Sequence, residues 1–211
     1  MLTATGTGII FDIGAHCGDT TAAYAKYFAG SKIYSFEPFP DSCNKLKTRF
    51  ADNPTIKIIQ AAISNKSGIM NFYSNSDSAT NSLLSVTGEA QKWVNLPDAI
   101  QLKDIVKVKT TTIDEFCTEE GIERIMILKM DVQGGELLAL EGAEKMLTRR
   151  AINVIYAELL FVPIYIGQAE YYQVCSLLSK FGFRLFSMYN FVYDDIGQIK
   201  WCDGLFISTG L

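Results

Sequence analysis

The residues best suited to chemistry in this 211-residue chain begin in FDIGAHCGDTT, residues 11–21. An apolar run ends at Asp12, Gly14 and Gly18 bracket a turn, and Asp19, Thr20 and Thr21 are types that cap a new helix. Glycines let the backbone approach a ligand, and a helix N-terminus offers free N–H groups and a positive dipole end. The spacing is G-x-x-x-G and not G-x-G-x-x-G, so the pyrophosphate fingerprint of dinucleotide enzymes is not matched. A nucleoside ligand with a carboxylate where a dinucleotide has phosphate fits better, which describes S-adenosylmethionine. Glu37 closes the next apolar run, KIYSFE, nineteen residues past Gly18, where a carboxylate can accept both ribose hydroxyls. The plainer alternative is a tight turn and a solvated acid, but an acid ending an apolar strand beside the same crevice needs a partner.

Three further carboxylates stand at strand ends. In ILKMDVQGGE, residues 127–136, Lys129 and Asp131 share one face, because strand side chains alternate with period two. Asp131 sits at the carboxyl edge, where open parallel sheets bind ligands. YAELL puts Glu158 at the same edge, and WCDGLF brings Asp203 there too if the final strand runs antiparallel. Methyl transfer from a sulfonium is an in-line displacement needing mainly alignment. An alcohol acceptor must also lose a proton, to a carboxylate base or with help from a bound cation. Oxygen ligands suit Mg²⁺ or Mn²⁺, held by Asp131, Glu158 and Asp203. The same acids can instead serve as bases and hydroxyl-binding groups without metal, or as structural hydrogen-bonding groups. Lys129, flanked by apolar residues, is either paired with a carboxylate or a functional donor.

Other residues carry weaker signals. His16 is the single histidine and lies in the glycine loop, where touching ligand or solvent is more usual than catalysis. Cys17 reads as a small packing residue. The aromatic segments at residues 161–167, 170–173 and 187–193 suit the core or a flat sugar face.

The elements that must position these groups alternate between apolar runs of strand length and longer helical stretches. Strands are expected at residues 8–13, 32–37, 56–60, 106–111, 125–131, 152–160, 183–186 and 203–208, with a short added strand in SGIMNFYSN. Helices are expected at residues 19–28, 40–50, 113–120, 136–147 and 168–181. This is an α/β, doubly wound, mostly parallel sheet with helices on both faces and an antiparallel last strand. Residues 74–104 are rich in Ser, Asn and Asp, with a short helix expected around residues 89–93, and read as a lid or substrate loop. No repeat or linker divides the chain, so residues 1–211 are expected to form one domain.

Composition sets outer bounds. The chain is 48% hydrophobic with Lys+Arg 19 against Asp+Glu 23, which supports a large core and gives no overall field for nucleic acid. No apolar run reaches a membrane span, and the start resembles no signal peptide. Five scattered cysteines without CxxC spacing suit reduced thiols, and a cytoplasmic location is expected.

These residues together resemble the FkbM family of S-adenosylmethionine-dependent methyltransferases. The resemblance runs in order through FDIGAHCGDT, YSFEPFP, AAIS, TNSLL, KTTTIDEFC, ILKMDVQGGELLALEGA, AELLFVPIY and WCDGLF. It implies a seven-stranded class I methyltransferase fold and O-methylation, commonly of a sugar or other hydroxyl in glycans and secondary metabolites. Carried over, it implies that Asp12, Gly14, Gly18 and Thr20 border the methionine moiety and Glu37 the ribose. Pro38 and Phe39 would meet the adenine, with Ala62 and Ile63 beside it, and Asp131 would face the methyl group. His16 stands where the family often has asparagine. Family members usually carry elements before the first strand, so a catalytic core cut from a longer chain, with a glycosyltransferase neighbour, or a minimal member is expected. No NPPY-like amine motif is present.

Overall fold

The structure is a computed structural model that describes residues 7–94 and 96–209. The expected domain and loop also include residues 1–6, 95 and 210–211, which lie outside the described residues. Ten strands and six α-helices are present among the described residues: β1 Ile9–Ile13, α1 Asp19–Tyr27, β2 Lys32–Phe36, α2 Pro40–Arg49, β3 Ile56–Ile59, β4 Ala62–Ile63, β5 Gly68–Asn75, β6 Leu102–Thr111, α3 Ile113–Glu119, β7 Ile125–Met130, α4 Glu136–Glu141, α5 Glu144–Thr148, β8 Ile152–Leu160, α6 Tyr171–Lys180, β9 Phe183–Tyr193 and β10 Ile199–Ser208. Seven strands form one sheet in the order β3-β2-β1-β7-β8-β10-β9. All its pairings are parallel except those of β10, which runs antiparallel to both β8 and β9.

The core explains why the apolar runs became strands. One face of the sheet packs Phe11, Ile13, Tyr34, Phe36, Leu128, Met130, Ile155 and Leu159 into a cluster with residues of α3 to α6. Phe116 from α3 sits among Phe11, Tyr34 and Phe36 with ring centroids 4.8–5.7 Å away. Burying each such ring contributes about 2 to 3 kcal/mol, and it fixes the strands whose ends carry Asp12 and Glu37. The opposite face packs Ile10, Ile33 and Ile56 against Tyr24 of α1, Phe28 just after it and neighbouring Phe50.

Several expected boundaries change. The single helix over residues 136–147 is two, α4 and α5, broken at Gly142 and Ala143. A Cβ at Gly142 would lie 2.2 Å from the carbonyl oxygen of Ser64, so the helix turns where this strand end crowds it. The loop over residues 74–104 is shorter, because its ends extend β5 and β6, and three 3₁₀ turns at Ser78–Thr80, Ala90–Lys92 and Pro97–Ile100 fill the rest. β4, β5 and β6 form a separate three-stranded sheet in the order β4-β6-β5. The expected strand at residues 183–186 continues to Tyr193, and its partner starts at Ile199, because the antiparallel pair extends beyond the apolar residues.

Candidate active site

Strand order reverses between β1 and β7, so the loops leaving their carboxyl ends part and open a crevice. Gly14 N and Ala15 N both donate to Phe36 O, at 3.1 and 3.0 Å, and Asp131 N donates to Ile13 O at 3.1 Å. Gly14 has φ +76°, and a Cβ there would lie 1.8 Å from Asp131 O, so the two loops approach as only glycine allows. Gly18, and not Asp19, is the N-cap of α1, and no side chain caps this helix. Asp19 turns outward to Arg49 at 2.7 Å.

Beneath this loop lies a buried polar row. Asp12 is 0% exposed, and Thr21 Oγ1 donates to its Oδ2 at 2.6 Å. Lys129 Nζ stands 3.1 Å from Asp12 Oδ1 as an ion pair and donates to Gly14 O at 3.0 Å. Burial disfavours the Lys129 charge, but Asp12 and Asp131 outweigh it and hold its pKa above the ordinary value. Lys129 therefore takes the carboxylate-paired alternative, and its ammonium supports the glycine loop from below.

Above the loop is a cavity lined on one side by Gly14, His16, Glu37, Pro38, Ala62, Ile63 and Asp131. Its other side is formed by Phe72, Ser78, Ala79, Asn81 and Leu83. Of the residues expected to meet a cofactor, Asp12, Gly18, Thr20 and Phe39 are not among those lining it. Phe39 stacks on Phe72 instead, with centroids 6.5 Å apart. Glu37 is 6% exposed, and its two oxygens accept from His16 N at 2.9 Å and Phe39 N at 2.8 Å. Burial pushes its carboxyl up to about 6, against the lowering effect of those N–H groups and Lys129. His16, at φ 47°, hydrogen-bonds Ser78 Oγ through Nε2 at 2.8 Å, tying the loop to the far wall. Asn81 is 8% exposed; its Oδ1 accepts from Asn75 N at 2.7 Å, which orients the amide, and its buried Nδ2 has no partner among the described residues. Sequence reasoning missed this wall, for which TNSLL was the available signal.

Beyond Asp131, Gln133 joins two of the expected acids. Its Nε2 donates to Asp131 Oδ1 at 2.8 Å and to Glu158 Oε2 at 3.1 Å. Burial, and then the charges of Asp131, Glu136 and Asp203, raise the Glu158 carboxyl well above the usual range. Glu136, 3% exposed, accepts from Val132 N at 2.8 Å and is pushed by burial to about 7. Asp203 is the cross-strand partner of Glu158, as the antiparallel strand requires. Its Oδ2 is taken by Tyr156 OH at 2.9 Å and Asn190 Nδ2 at 2.7 Å. The expected Mg²⁺ or Mn²⁺ set of Asp131, Glu158 and Asp203 is therefore not assembled. No group of three such ligands able to hold a metal occurs among the described residues, and an amide nitrogen stands between the first two acids.

Comparison with known proteins bears on the family and the fold. A family model described as Methyltransferase FkbM domain matches residues 12–185. The chain is 25% identical over 186 residues to the 2-O-methyltransferase NoeI of Sinorhizobium fredii, covering 82% of this chain and 72% of that protein. In fold it is similar to the crystal structure of methyltransferase FkbM from Methylobacillus flagellatus, with a TM-score of 0.54 and 13% identity, covering 98% of this chain and spanning 44% of that one. M. capricolum TrmK, solved with S-adenosyl-homocysteine, matches at a TM-score of 0.50 and 11% identity over 97% of this chain and 64% of its own. No helix among the described residues is long and apolar enough to cross a membrane. With its model matched across most of the length and the crevice where the motifs place it, the chain belongs to the FkbM methyltransferase family.

Proposed function

We propose that this chain is an S-adenosylmethionine-dependent O-methyltransferase acting on a sugar hydroxyl. The observation that carries the reading is the pair of acids Asp131 and Glu158, joined by Gln133, with Asp131 and Gln133 lining the same cavity as Glu37. The cavity fits the cofactor: Glu37 offers lone pairs for ribose hydroxyls, Asn81 an unpartnered buried donor, and Gly14 a backbone without side chain. A methyltransferase of the same fold holds S-adenosyl-homocysteine, and the curated relative is named a 2-O-methyltransferase. Bound there, S-adenosylmethionine supplies an electrophilic methyl on a sulfonium.

Asp131 is placed to take the acceptor's hydroxyl proton; the cofactor would supply the methyl and its sulfonium would lose its charge, so the chain's own task is alignment and proton removal. Lys129 holds the glycine loop from below through Gly14 O, and Glu37 would hold the ribose. Beside Asp203 on β9, Tyr189 is 43% exposed, and Phe191 and Tyr193 stack at 6.0 Å, offering flat apolar surface next to hydrogen-bonding groups, as a sugar ring requires. Transfer of labelled methyl from S-adenosylmethionine to a panel of oligosaccharides is expected; absence of cofactor binding by calorimetry would overturn the reading.

A further inference from the structure

We propose that Gln133 is the positioning residue of methyl transfer, doing with one neutral amide what a divalent cation would do between Asp131 and Glu158; this rests on the O-methyltransferase reading above. Gln133 has φ 56°, in the left-handed region that non-glycine residues seldom occupy, followed by Gly134 at φ 91°. Ser82 Oγ donates to its backbone oxygen at 2.7 Å and helps hold the turn in that conformation. The side chain is engaged at both ends. Tyr165 OH donates to Oε1 at 2.7 Å, which settles the amide orientation and aims Nε2 away from the tyrosine. Both protons of Nε2 are then spent on one oxygen of Asp131 and one of Glu158.

Two consequences follow from the geometry. The two acids are held at a fixed separation by a donor already in the chain, so the space between them is taken and a cation bridging them would have to displace the amide. Asp131 keeps its other oxygen, Oδ2, unengaged by Gln133, 3.9 Å from Lys129 Nζ and on a side chain 46% exposed. That oxygen is the one left to face the acceptor hydroxyl. Gln133 thus acts through Asp131 and touches neither reacting atom.

The test uses the whole chain, with kcat and KM for methyl transfer and calorimetry for S-adenosylmethionine. Gln133→Ala is expected to lower kcat by about 10- to 100-fold, the scale of loss when a reacting group is misplaced by about 1 Å, with cofactor affinity unchanged within about threefold. Tyr165→Phe, which removes only the hydroxyl that orients the amide, is expected to lower kcat about 3- to 10-fold in the same pattern, and it carries the test if the alanine variant does not fold. Wild-type turnover is expected to be unaffected by EDTA. An unchanged kcat in both variants, or loss of cofactor affinity with kcat retained, would overturn the proposal, as would EDTA inactivation reversed by Mg²⁺ or Mn²⁺. A wild-type protein that binds cofactor and methylates an acceptor while the variants match it leaves the function standing and removes only this inference. A wild type without cofactor binding removes both.

Discussion

Glu136 offers a sharp test of the electrostatics behind the turn that follows β7. Its carboxyl is 3% exposed at the start of α4, accepts from Val132 N, and is raised to about 7 by burial, with Asp131 adding to the rise. A carboxyl whose pKa is higher folded than unfolded binds more protons in the native state. Its contribution is fully present below the unfolded pKa near 4.5 and is lost as pH rises through about 7. A shift from 4.5 to about 7 is worth about 3 kcal/mol in full, of which about 2 to 3 kcal/mol falls between pH 5 and pH 8. Glu136→Gln keeps an oxygen for Val132 N and mimics the protonated acid without titrating. Urea unfolding at pH 5 and pH 8 should therefore show the wild type losing about 2 to 3 kcal/mol more than the variant across that interval. Glu37 shifts in both proteins and cancels in the comparison, and Glu158 is raised first by burial, which both share, losing in the variant only the part that the Glu136 charge supplies. Parallel pH profiles for the two proteins would refute the reasoning, and so would a variant that is less stable at pH 8.

Three other outcomes follow. Gly14→Ala should abolish cofactor binding and destabilise by several kcal/mol, on the order of 3 or more, because its Cβ would meet Asp131 O at 1.8 Å; a variant binding normally by calorimetry would mean the loops part easily. Lys129→Met should cost about 3 to 5 kcal/mol in denaturant unfolding by leaving Asp12 buried and uncompensated, with much of the loss recovered in the Asp12→Asn background; equal losses in both backgrounds would show the pair is not coupled. Asn81→Asp keeps the acceptor for Asn75 N but removes the free donor, so S-adenosylmethionine affinity should fall about tenfold or more, and unchanged affinity would take Asn81 out of the site.

Much of this was legible in the chain because parallel-sheet physics leaves clear marks. Buried strands read as apolar runs, and ligand-facing residues stand where those runs stop, which is how Glu37, Asp131 and Glu158 could be placed at one edge. The antiparallel direction of β10, and so the pairing of Asp203 with Glu158, came from the short connection before it. Two kinds of information were not local. The break at Gly142 depends on Ser64, distant in sequence, and no pattern within the helix announces it. The contacts of Gln133 depend on a left-handed turn and on Tyr165, thirty-two residues away, so nothing in the local sequence singles this glutamine out. The bridge between the acids was hidden for the same reason: strand ends show that acids converge, but not what already stands between them.

The cavity is lined by two different hydrogen-bonded networks, because Ala62 and Ile63 come from the small sheet. Gly14, Glu37 and Asp131 stand at strand ends of the large sheet, whereas Phe72 belongs to the small one and Asn81 to the segment that follows it. A molecule filling the cavity is a rivet between sheets that share no strand pairing. The small sheet rests on a buried cluster of Ala62, Phe72 and Val108, far smaller than the core of the large one, so local opening begins there. Occupancy then raises the opening free energy by mass action where the protein is weakest. Amide exchange in β5 and β6 becomes a direct gauge of ligand binding.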